Sequence, residues 1–165
     1  PNVYTPLADA LAEGPKSVRE LQGILGNATN LAGVVQALSL LTHVGSVAPL
    51  RPPADPATAR RLNRVLCARA RASDTFQALA APATGSFVVA NLVERLALNG
   101  LDEGVAADAA ALARHAWGAL AARGQRLIRD GKPIDSAEEN TAELQTQIGR
   151  FLNDKLPLWR TMGVV

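Results

Sequence analysis

The residues that could do chemistry are few. Two histidines, His43 and His115, and one cysteine, Cys67, are all the imidazole and thiol groups in 165 residues. A zinc site needs several such ligands close together, and three scattered groups do not supply them; no metal ligand is expected. A nucleophile–base pair would have to use one of the histidines. His43 follows Thr42 in an apolar run and reads as a core or capping histidine, whereas His115 follows Arg114 and reads as a solvent-edge one. Gly85-Ser86-Phe87 is not a GxSxG elbow, so Ser86 reads as a helix N-cap after a turn. Neither GxGxxG nor GxxxxGK(S/T) occurs, which leaves no glycine loop to cradle a phosphate. Asp102-Glu103 and Glu138-Glu139 precede helices, where the helix dipole favours negative charge. Asp130 and Asp135 flank a turn. No catalytic, cofactor-binding or metal residue is therefore assigned.

One charge feature stands apart. Arg51, Arg60, Arg61, Arg64, Arg69 and Arg71 face a single Asp55 between residues 51 and 71, in a chain whose net charge is only +2. On a helix, Arg60, Arg64, Cys67 and Arg71 fall on one stripe at spacings of four, three and four. Such a stripe is either a solvated face paired with acidic neighbours or a docking surface for an acidic partner. Arg60, Arg64 and Arg71 are the partner-binding candidates. Cations beside Cys67 would favour its thiolate, against the plainer reading of an inert helix cysteine.

The elements that must carry these residues read as mainly α. The chain is 48% hydrophobic and 19% charged, enough for one domain or two small ones sharing a core. The small net charge excludes a wholly basic coat, and 4% aromatics leave few stacking platforms. One cysteine excludes a disulfide framework and fits a reducing, cytoplasmic setting. The sequence starts at Pro1 without a basic segment leading into an apolar one, so we expect no signal peptide and read the chain as a piece of something longer. Its 31 alanines, and 14 arginines against three lysines, suggest a GC-rich bacterial source. No charge occurs between Glu20 and Arg51, but Gln36, Ser39, Thr42, His43 and Ser46 interrupt the run. A buried helix is expected there, rather than a membrane span of about 20 residues.

Residues 1–53 are expected to form a winged-helix-like unit. It would comprise a helix over 6–13 capped by Thr5, a second opened by a Ser17/Glu20 capping box, and a third over 31–44 capped by Asn30. A strand over Ser46–Leu50 and a rigid Arg51-Pro52-Pro53 exit would follow. Val18, Leu21, Ile24 and Leu25 should face inward on the second helix. Residues 54–165 are expected to form a helical domain. Its helices span 57–72 (Leu62, Val65 and Leu66 inward), 86–99, about 105–129, and 137–156, the last opened by a Ser136/Glu139 capping box and ended by Pro157. Phe76 to Ala81 fits either a strand or a short helix.

A DNA-reading third helix would present Arg, Lys, Asn or Gln to bases and phosphates. Residues 31–44 carry no cation, so nucleic acid is not the expected partner. A DNA-binding winged-helix transcription regulator is kept as the alternative, and an oligomerisation scaffold as a third reading.

Three stretches bring in a family. Val35-Gln36-Ala37-Leu38 with Leu40-Leu41, Ala81-Pro82-Ala83-Thr84-Gly85-Ser86 before an apolar helix, and the tail Phe151-Leu152 to Leu156-Pro157-Leu158-Trp159 resemble the region that follows the catalytic domain in bacterial S-adenosylmethionine-dependent methyltransferases. That region comprises a methyltransferase regulatory domain with an added winged-helix domain. The resemblance implies a non-catalytic part that regulates, dimerises or presents substrate. It also implies a catalytic domain of the same polypeptide as partner, and S-adenosylmethionine as a cofactor held by that domain. It carries over no catalytic residue.

Overall fold

A computed structural model describes residues 2–52 and 55–165. The chain is mainly helical and divides into two compact units, Pro1–Leu50 and Arg51–Val165. The expected boundary between residues 53 and 54, and Pro53 of the expected rigid exit, lie outside the described residues.

The first unit holds α1 (Tyr4–Ala12), α2 (Val18–Leu25) and α3 (Leu31–His43). The Asn2 carboxamide oxygen accepts from the amides of Tyr4 and Thr5, so α1 starts earlier than a Thr5 cap would place it. Ser17 and Glu20 close the anticipated capping box: Ser17 Oγ accepts from the Glu20 amide at 3.3 Å, and the Glu20 carboxylate from the Ser17 amide at 2.7 Å. Asn30 caps α3 through the Gly33 amide at 3.0 Å. Leu7, Ala10, Leu21, Leu25, Val34 and Ala37 form the core.

Three expectations fail here. Val18 and Ile24 are exposed rather than inward. Helix α3 fully buries only Val34 and Ala37, because α1 and α2 cover a single face; Leu31, Val35 and Leu40 stand about half exposed. The strand over Ser46–Leu50 does not form. No neighbouring strand bonds it among the described residues, and the amides of Ser46 and Val47 turn back to the Leu41 carbonyl at the end of α3.

The second unit runs α4 (Ala57–Arg69), β1 (Ala78–Ala81), β2 (Ser86–Val89), α5 (Leu92–Asp102), α6 (Ala109–Ala122), β3 (Ile128–Arg129), β4 (Lys132–Pro133), α7 (Ala137–Arg150) and α8 (Leu156–Thr161). Helix α5 is the centre, buried continuously from Val93 to Gly100. Its apolar side chains join those of α6, α7, α8 and β1 in one core.

Helix α4 is turned from its expected face by about one residue, or ~100°. Asn63, Cys67 and Ala70 are buried, while Leu62 and Val65 are exposed. The cause is polar. The Asn63 carboxamide oxygen accepts from the Ala80 amide at 2.8 Å, and its nitrogen donates to the carbonyls of Ala80 at 2.9 Å and Val164 at 2.8 Å. That clamp draws Asn63 inward and rotates its apolar neighbours out.

The helix expected over 86–99 splits. Ser86–Val89 pairs antiparallel with Ala78–Ala81, so Ser86 is the first residue of a strand and not an N-cap. Gly85, at φ +63°, makes the tight reversal, and Phe87, Val88 and Val89 are strand-forming types. The true cap is Asn91, in a capping box with Glu94. The helix expected over 105–129 is shorter: Asp108 caps it, and the chain turns out at Gly124, at φ +65°. Asp130 and Gly131 both have positive φ, the signature of a type I′ turn, and they join β3 to β4. Ser136 caps α7 by accepting from the Glu139 amide, but the reciprocal bond of the expected box is absent. Pro157 does not end this helix. The backbone widens into a π turn over Phe151–Lys155, the Leu156 amide reaching back to the Phe151 carbonyl. Pro157 then falls in the first turn of α8, where its missing N–H leaves no bond broken.

Candidate functional site

Of the arginines in the expected stripe, only Arg60 and Arg64 lie along α4, which ends at Arg69 rather than at residue 72; Arg71 falls in the turn that follows, and Arg64 and Arg71 meet the C-terminal end of α5. Arg64 Nε stands 3.4 Å from Asp102 Oδ1, and an Arg71 guanidinium N–H donates to Glu103 at 2.9 Å. Both pairs are substantially exposed, so each contributes little to stability. Arg60 differs: its Nε is buried and has no hydrogen-bond partner among the described residues. A small cavity of about 60 Å³ lies between these groups, lined by Arg60, Asn63, Arg64, Cys67, Asp102 and Val164. The stripe thus splits. Arg64 and Arg71 pair with neighbours in the chain, and Arg60 alone among the three candidates makes no ion pair among the described residues.

Cys67 sits at the floor of this cavity. Burial pushes its thiol up to about 12; the nearby Asp102 adds to the rise and Arg95 opposes it. Desolvation therefore outweighs the Arg95 cation that would favour a thiolate. Burial also raises the Asp102 carboxyl, against the pull of Arg64. The native thiol should resist alkylation at pH 8 and react fully once urea unfolds the chain. Because the folded thiol ionises near 12 and the free one near 9.0, stability should be indifferent to this group below pH 9 and fall between pH 9 and 12. Rapid alkylation of the folded chain at pH 8 would contradict this.

His115 is more enclosed than a solvent-edge histidine. Its Nε2 lies 3.2 Å from the Asn99 carboxamide oxygen and its Nδ1 3.9 Å from Glu103, which also accepts from Asn99. His43 is exposed in the last turn of α3 rather than in a core. No cluster of three or more His, Cys, Asp or Glu residues that could hold a metal occurs among the described residues.

The groups that sequence reasoning missed are buried polar ones. Arg95 is 1% exposed; its guanidinium donates to Asp74 and to the carbonyls of Phe76 and Ala90, tying the segment before β1 to the start of α5. The buried Glu94 pairs with Lys155 at 2.6 Å, joining α5 to the π turn. The only signal for either was a charged pair inside an apolar run, Leu92-Val93-Glu94-Arg95-Leu96.

The second surface of note is on α3. Val18, Val35, Leu38, Ser39, Thr42 and His43 line an open groove of about 460 Å³ without a formal charge. No single helix among the described residues is long and apolar enough to cross a membrane.

Comparison with known proteins adds one relative. The chain is 28% identical over 168 residues to a Synechocystis sp. (strain ATCC 27184 / PCC 6803 / Kazusa) protein described as "Uncharacterized protein sll1526". The match takes in 98% of this chain and 32% of that protein, so the chain spans about a third of the relative's length. No family model matches the chain, and no solved structure does.

Proposed function

We propose that this chain is a non-catalytic accessory region of a bacterial S-adenosylmethionine-dependent methyltransferase. It docks on a catalytic domain elsewhere in the same polypeptide and alters that domain's activity or shapes its substrate cleft. The observation that carries the docking is the open groove lined by Val18, Val35, Leu38, Ser39, Thr42 and His43, which holds no Asp, Glu, Lys or Arg and leaves Val35 about half exposed. Apolar surface of this kind gains by removal from water, at about 25 cal/mol per Å². The methyltransferase assignment rests on the resemblance of Val35 to Leu41, Ala81 to Ser86 and Phe151 to Trp159. The Synechocystis relative supports the setting, since the matching stretch is one third of a longer protein. In this reading the three helices of the first unit serve as a winged-helix-like packing module. Regulation then requires the chain to favour one state of the catalytic domain over another.

The arginines give the polar half of the test. Reversing Arg60, Arg64 and Arg71 to Glu should leave the helical content unchanged and weaken association with the catalytic domain by at least about tenfold, or ~1.4 kcal/mol. Val35→Asp with Ser39→Asp, one turn apart in the α3 groove, should do the same from the apolar side. Calorimetric titration of each variant against the catalytic domain checks both. If the arginine reversal leaves association unchanged, that face is no docking surface. If the α3 variants also leave it unchanged, the accessory reading is wrong.

A further inference from the structure

Among the described residues, the hairpin of β1 and β2 has one capped edge and one open edge. On the β1 side, both the amide and the carbonyl of Ala80 are held by the Asn63 side chain, as a third strand would hold them. Ala80 therefore points its backbone groups away from β2, and its partner Phe87 points its own outward on the opposite edge. The Ala90 amide turns inward to the Gln77 carbonyl at 2.7 Å, so Val89 again points outward. The open edge thus offers two donors and two acceptors, on Phe87 and Val89. Their side chains are 61% and 65% exposed. The strand, Ser86-Phe87-Val88-Val89, carries no charge and no proline, the features that usually guard an edge against pairing.

We infer that this edge pairs with the same edge of a second copy of the chain, antiparallel about a two-fold axis through Val88, giving a four-stranded sheet across the dimer. The register is self-complementary. Phe87 of one copy meets Val89 of the other, twice, which satisfies all eight outward groups in four hydrogen bonds. Each such pair also joins an aromatic to a β-branched side chain, a favourable cross-strand combination. A second copy fits better than a charged peptide because the strand presents nothing ionic to recognise. The inference concerns the second unit alone and does not depend on the methyltransferase reading. Four residues a side are far fewer than the roughly 20–30 of a standard interface, so the dimer is concentration-dependent rather than tight.

Sedimentation equilibrium of the 165-residue chain tests this, with two variants. Val89→Pro removes an outward donor and leaves the β1–β2 ladder whole, since proline is tolerated where its N–H would face solvent. It should weaken dimerisation at least about tenfold with an unchanged circular dichroism spectrum. Val88→Cys places two thiols across the axis at about 4.5 Å between Cα atoms, inside the range a disulfide needs. It should form a covalent dimer on oxidation, while native Cys67 stays buried. A chain that remains monomeric and uncrosslinked, or a dimer unaffected by Val89→Pro, overturns the inference. Protection of the Phe87 and Val89 amides only when a different protein is added also overturns it, in favour of a foreign strand.

Discussion

Replacing Arg95 with alanine is expected to lower the unfolding free energy by about 3–5 kcal/mol. The guanidinium of this 1%-exposed side chain bridges Asp74, Phe76 and Ala90. Truncation leaves the carbonyls of Phe76 and Ala90 without this donor, at about 1–3 kcal/mol each where they stay buried. It also leaves a cavity where the stem lay, beside the most deeply buried helix of the unit. Asp74 adds little, because its carboxylate is 42% exposed and rehydrates. Arg95→Lys should recover only part of the loss, since the three acceptors are met by three separate guanidinium nitrogens and a single ammonium nitrogen cannot reach all of them. Urea denaturation with an unchanged m-value checks both variants. A midpoint within error of the parent chain would show that the bridge contributes nothing to stability.

The second large effect is at Asn140, which is fully buried. Its carboxamide oxygen accepts from the Leu127 amide at 2.8 Å, and its nitrogen donates to the carbonyls of Ile134 and Ser136, each at 2.8 Å. These bonds pin both ends of the β3–β4 hairpin to the first turn of α7. Asn140→Leu keeps the volume and removes all three. It orphans the Leu127 amide and the Ile134 carbonyl, for an expected loss of about 3 kcal/mol. Asn140→Asp keeps the acceptor but sets a carboxylate against two carbonyls. Protonation restores a donor, so this variant should grow more stable relative to the parent as pH falls through the carboxylate range. A pH-independent difference would show that the hairpin relaxes away from residue 140.

These residues show where the sequence was legible and where it was not. Local signals survived folding: the Ser17/Glu20 box, the Asn30 cap, the Asp130-Gly131 turn and the spacing from Leu144 to Phe151 all mark real features. Each depends on neighbours within four residues. Features set by distant partners were not legible. The rotation of α4 follows from Asn63 bonding to Ala80 and Val164, 17 and 101 residues away. The spacing of Val89, Leu92, Val93, Leu96 and Ala97 is helical only from Leu92; Val89 lies in a strand because Ala78 lies opposite it. The apolar run of α3 marked a helix correctly but not how much of it would be covered, which depends on how many neighbours pack on it. At the candidate site, the stripe of Arg60, Arg64 and Arg71 was visible, but not its pairing with Asp102 and Glu103.

We propose that this chain positions and docks, with methyl-transfer chemistry on another domain. Calorimetric titration of S-adenosylmethionine into the 165-residue chain tests it most directly. The predicted result is no saturable heat at concentrations up to about 1 mM, where even a binding free energy of roughly −4 kcal/mol would register. Saturable one-to-one binding with a micromolar or tighter dissociation constant would place the cofactor site within this chain and contradict the account.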